Sequence, residues 1–173
     1  FIFFMLLILL PVCSGFGSLF SKAVGNSTEG IALNLFGGIF FLSFLFTLLA
    51  FFIPLNIYLE SVVIIIGIIL FFYKKEYLIF WRFFRKYKFL FVVFSLVILF
   101  FGSFYPFIMD HFGYYVPTIK WLSESGLVRG ISHLDLLLGQ MEVWHIFQAG
   151  FSNFADTFFR INSLVLGVFI IYI

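Results

Sequence analysis

Asp110 stands directly after the uncharged run Phe89–Met109, with His111 beside it and Tyr114 and Tyr115 about one turn further on. A carboxylate held where an apolar run meets polar residues can take a proton from a hydroxyl or hold a divalent cation, Mg or Mn, with His111 as a second ligand. The same position also suits a residue that only ends a helix at an interface. A second pair is Glu142-x-x-His145, which falls on one helical face, with Asp135 seven residues earlier on nearly the same side. Carboxylate-bridged metal sites use that spacing but need a second such pair, and the chain has none. A solvated polar face opposite the stripe Leu134, Leu137, Leu138, Met141 and Trp144 accounts for the same residues. No Walker loop, nucleophile elbow or HExxH motif is present, which argues against a nucleotide hydrolase, a serine hydrolase or a zincin in these residues.

The elements that must position Asp110 are apolar. Of 173 residues, 64% are hydrophobic and only 10% charged, against about 45–50% and about 25% in soluble domains. Such a composition cannot be wrapped around one water-facing core. It implies an all-α, polytopic helical membrane protein in contact with the lipid bilayer. Uncharged runs predict four spans, at about residues 1–20, 31–53, 57–73 and 89–109, each near the ~20 residues needed to cross the hydrocarbon. Pro11 is a kink in the first, Pro54 and Asn56 close the second, and Glu60 in the first turn of the third is expected to reach the headgroups. The apolar run at 161–173 reads as the start of a fifth span, and the chain therefore as a fragment of a longer polypeptide continuing beyond both ends. Cys13 is the one cysteine, so no disulfide framework exists.

Charge placement gives orientation. Lys74, Lys75, Arg82, Arg85, Lys86 and Lys88 lie in the short segment 74–88, which is read as a cytoplasmic loop by the positive-inside rule. The interleaved aromatic residues there suit an interfacial segment facing anionic headgroups better than a nucleic-acid patch, and a net charge of +2 suggests no polyanionic partner. Alternation makes 110–160 extracytoplasmic. Two amphipathic helices lying along the membrane are expected in it: one from Pro117 to about Ser125, stopped by Gly126, with Ile119 and Leu122 on one side and Thr118 and Glu124 on others, and one after a Ser132/Asp135 capping box.

The run Asp110-His111-Phe112-Gly113-Tyr114-Tyr115, followed by Ile119-Lys120-Trp121, Gly126-Leu127-Val128, Gly130, Leu134, Leu138-Gly139 and Trp144, resembles the first large external loop of bacterial membrane proteins related to the C-class glycosyltransferases. In the pattern of that family Asp110 and Tyr114 are matched, while Tyr115, His133, Asp135 and Leu137 stand where it carries other polar residues. The resemblance implies transfer of a sugar from a polyprenyl-phosphate-linked donor at the outer face of the bacterial inner membrane. It implies Asp110 as the catalytic carboxylate, Tyr114, Tyr115 and Lys120 as substrate-binding residues, and Asp110 with His111 as ligands of any divalent cation. By spacing alone, Lys120 suits a phosphate or an i,i+4 pair with Glu124 equally well. The competing class is a non-enzymatic transporter, flippase or polymerase-associated subunit handling lipid-linked saccharides, for which charged residues buried within spans would be the mark.

Overall fold

The computed structural model describes residues 2–25, 30–103, 111–130, 133 and 142–154, and among these there are helices and no strand. The helices are α1 (Ile2–Ala23), α2 (Ile31–Ala50), α3 (Ile57–Tyr73), α4 (Glu76–Ser103), a π-helical segment at His111–Tyr115, α5 (Val116–Ser125) and α6 (Val143–Ala149). Among the described residues α2 is the one helix long and apolar enough to cross a membrane, Leu7–Ala23 is apolar but shorter, and α3 with Glu76–Val93 qualifies as a pair bent by 75°. The described residues fall into two compact units. One takes the residues up to Phe41 and those from Val63 to Ser103, and the other takes Leu42–Val62 and the described residues beyond 110.

In the first unit, the helices touch through glycine. A methyl at Gly17 would fall on the backbone oxygen of Asn34, one at Gly38 on that of Cys13, and one at Gly15 on that of Gly67. Backbone-to-backbone approach of this kind is what small residues allow in apolar helices. Polar side chains then lock the pairing. Ser14 Oγ and Asn34 Nδ2 both donate to Glu76 Oε2 at 3.1 Å, and Ser21 Oγ donates to Asn34 Oδ1 at 2.9 Å. Glu76 is only 5% exposed. It sits in the first turn of α4, where a carboxylate also suits the positive end of the helix.

The basic segment expected as a loop is helical from Glu76 onward. Lys75 takes a left-handed turn at φ 58°, and no Gly or Pro follows to interrupt a helix before Gly102. The one departure is Tyr87, at φ −118°, ψ 26°, where α4 breaks its regular course.

The second unit is stapled by backbone. Asn56 Oδ1 caps α3 by accepting from the N–H groups of Tyr58 and Leu59, both at 3.2 Å. Leu55 N–H donates to Leu122 O at 3.1 Å and Leu127 N–H to Ala50 O at 2.7 Å, so the end of α5 is fixed to the α2–α3 connection. Gly126 makes this fit possible: its φ is 73°, and a Cβ there would meet Ala50 O and Ile53 O. An aromatic layer fills the interior. Phe46 meets Phe151 at 5.2 Å and Phe147 at 6.5 Å between ring centroids, and Trp144 stacks on Phe147 at 5.1 Å.

Candidate active site

The residues on either side of Pro117 form the first wall. The π-helical turn ends at Tyr115 and α5 begins at Val116, with Pro117 in its first turn, where a missing N–H breaks no helical bond. Tyr114 and Tyr115 end up with ring centroids 4.2 Å apart. Tyr115 meets the His145 ring at 4.7 Å, and Tyr114 meets it edge-on at 6.5 Å. Two residues expected at the site are thus gathered around an imidazole from α6.

The spacing Glu142-x-x-His145 has a local explanation. Glu142 is the N-cap of α6, extended at φ −82°, ψ 150°, and the two residues form a reciprocal capping box. Glu142 N–H donates to His145 Nδ1 at 3.4 Å, which leaves the Nε2 side of a neutral ring as the donor. Burial holds the His145 pKa below its ordinary value, against a smaller opposing effect of the Glu142 charge.

Glu60 is placed differently from the sequence expectation. It is fully buried instead of reaching headgroups. Its Oε2 accepts from the N–H of Asn153 at 2.8 Å and of Phe154 at 3.3 Å, and Asn153 Nδ2 donates to Leu55 O at 2.8 Å. The turn after α6 needs an acceptor for its free N–H groups, and the carboxylate in the first turn of α3 is the one that meets them. Thr118, expected away from the packed side, is also fully buried along with Ile119 and Leu122. Glu60 Oε1, Thr118 Oγ1 and Trp121 Nε1 are buried with no hydrogen-bond partner among the described residues. A buried polar atom left unmet costs about 1–3 kcal/mol, so these three are candidates for bonding a ligand.

Lys120 is exposed on α5, on a different face from Thr118 and Leu122. Asp110 lies outside the described residues, and so do the side chain of His111, the stripe at Leu134–Met141 with Asp135, and residues 161–173. Among the described residues, no three His, Cys, Asp or Glu side chains gather into a metal-binding group. The roles of Glu60 and Thr118 were missed by pattern reading. One signal was present, since Glu60 is the only charged residue between Gly30 and Tyr73, and a lone carboxylate in so long an apolar stretch asks for a partner.

These observations define an all-helical protein with two compact units and an aromatic, histidine-containing site in the second. The chain belongs to the family described as Domain of unknown function (DUF8201), whose family model matches residues 1–173. No curated protein and no solved structure matches it.

Proposed function

We propose that the chain is a membrane glycosyltransferase that moves a sugar from a polyprenyl-phosphate-linked donor to an acceptor at the outer face of the bacterial inner membrane. In this reading it is polytopic, with spans at about 1–20, 31–53, 57–73 and 89–109 and a further one entered at 161–173, segment 74–88 in the cytoplasm and 110–160 outside. The observation that carries it is the assembly of Tyr114 and Tyr115, which closely follow Asp110 in sequence, around His145, in the unit that also holds three buried polar atoms without a hydrogen-bond partner among the described residues. A unit that carries both aromatic faces and buried hydroxyl, indole N–H and carboxylate groups suits a ligand with apolar C–H faces and many hydroxyls.

Asp110 is assigned as general base on the acceptor hydroxyl. Lys120 meets the donor phosphate as a point charge, and Tyr114 and Tyr115 line the sugar. A divalent cation held by Asp110 and His111 would neutralise charge at that phosphate. Asp110→Asn in the full-length protein keeps shape and removes the basic site, so transfer from a polyprenyl-linked sugar should fall by about 10²–10⁴-fold with the yield of folded protein unchanged. A fully active Asp110→Asn protein returns Asp110 to a helix-end role.

The transport reading gains one observation. Glu60 and Glu76 are both buried carboxylates on the apolar helices α3 and α4, the kind of residue found on ion and substrate pathways. Movement of a lipid-linked saccharide across proteoliposomes without transfer, lost in Glu60→Gln, would establish that reading over the first.

A further inference from the structure

The first three turns of α4 carry a charge pattern that the proposed reaction does not use. Arg82, Arg85 and Lys86 are spaced i, i+3, i+4 and share one helical face, with Trp81 at its edge four residues before Arg85 and Tyr77 and Phe84 further round the helix. All of these are exposed, Trp81 by 64%. Phe80 packs on Phe71 at 5.6 Å and so fixes the roll of this segment against the end of α3.

Two details make the surface one-signed. The only acid between Lys74 and Lys88 is Glu76, and it is buried on Ser14 and Asn34, so it neutralises nothing outside. The 75° bend between α3 and Glu76–Val93 turns this stretch well away from the direction of α3. A helix running across the direction of its neighbour, with basic and aromatic side chains adjoining on its exposed side, has the arrangement of an in-plane interfacial helix. Aromatic rings sit at the headgroup level, and the Arg and Lys side chains face anionic phosphate.

We propose that the segment Glu76–Lys86 is an in-plane anchor that binds anionic phospholipid headgroups through Arg82, Arg85 and Lys86, with Trp81 and Phe84 seated at the acyl boundary. This rests on the membrane part of the reading above and not on glycosyl transfer. Phosphate is the chemistry recognised, and a lipid surface is favoured over a nucleic acid because exposed apolar side chains, Leu78 and Phe84, flank the charges and find a partner in the acyl boundary but none on a phosphate backbone.

The test uses the full chain in detergent, with native mass spectrometry reading retention of phosphatidylglycerol against phosphatidylcholine. The wild type should retain phosphatidylglycerol preferentially, and added salt should erode the preference. The variant Arg82→Gln/Arg85→Gln/Lys86→Gln should lower it by about two orders of magnitude, at about fivefold per basic side chain. Arg82→Lys/Arg85→Lys should retain most of it, and Lys22→Gln should leave it unchanged. Size exclusion of each variant reports folding, and should the triple variant fail to fold, the salt series on the wild type still decides. A preference that ignores salt, or survives in a folded triple variant, overturns the proposal, as does binding of a single-stranded oligonucleotide with the same residue dependence and no lipid preference. Release of the chain from membranes by alkaline carbonate would instead overturn the membrane reading itself, which separates the two failures.

Discussion

The two buried glutamates sit in contrasting surroundings. Glu76 in the first unit is met by side chains that have little else to do: Ser14 and Asn34 donate to it, and Ser21 completes Asn34. Glu60 in the second unit uses one oxygen on the backbone of Asn153 and Phe154, while its other oxygen, like the polar atoms of Thr118 and Trp121, has no partner among the described residues. A closed polar set holds helices in register. An open one costs stability, and such a cost is kept where a site needs reserve hydrogen-bonding groups. The difference separates the scaffold from the candidate site more sharply than hydrophobicity does, since both units are apolar.

The largest effect expected from breaking this contrast is in the first unit. Gly17→Leu would drive a side chain into the backbone of α2 at Asn34, where no rotamer relieves it, and should destabilise by more than about 3 kcal/mol, read as loss of the monodisperse peak in detergent. Glu76→Ala strands a hydroxyl and an amide at once and should lose about 3 kcal/mol in denaturant unfolding; a loss below about 1 kcal/mol would mean that the network is solvated and not closed.

A matched pair sharpens the comparison. Ser14→Ala should destabilise by about 1 kcal/mol, whereas Thr118→Val, which deletes an unmet hydroxyl at nearly constant volume, should be neutral or stabilising by up to about 1 kcal/mol. Loss of transfer activity in a more stable Thr118→Val protein would mark the hydroxyl as kept for function. Equal destabilisation at both positions would erase the distinction between the units.

The smallest effect is a pH dependence. The folded-state pKa of His145 is lowered by burial. Above the unfolded value, about 6.5, the ring is neutral in both states and contributes no slope. As pH falls through about 6.5 the unfolded chain takes a proton that the folded one refuses, so stability declines, by no more than about 1.4 kcal/mol per pH unit for one proton. Thermal unfolding between neutral and mildly acid pH should show this decline, and His145→Gln should flatten it.

What was legible in the sequence was local. The apolar run 57–73 coincides with the helix α3, and Pro117 and Gly126 mark the first turn and the stop of α5, because proline and glycine act through their own backbone. The partners of Glu60 were not legible, since the Asn153 and Phe154 N–H groups it accepts from lie 93 and 94 residues away. The Glu142 and His145 spacing was legible but ambiguous, as a metal pair and a capping box share it, and the N-cap geometry at Glu142 supports the second. The run of basic residues at 74–88 suggested a loop because charge was weighed above the absence of Gly and Pro there, which leaves a helix free to form.

The glycine contacts of the first unit have a genetic consequence. Every missense change reachable from a glycine codon adds at least one carbon atom, so at Gly15, Gly17 and Gly38, where that atom would land on a carbonyl of a neighbouring helix, no small step in codon space is harmless. Random mutagenesis of the gene should therefore leave these three positions depleted of surviving substitutions, while exposed residues such as Leu33, Phe36 and Phe40 exchange freely.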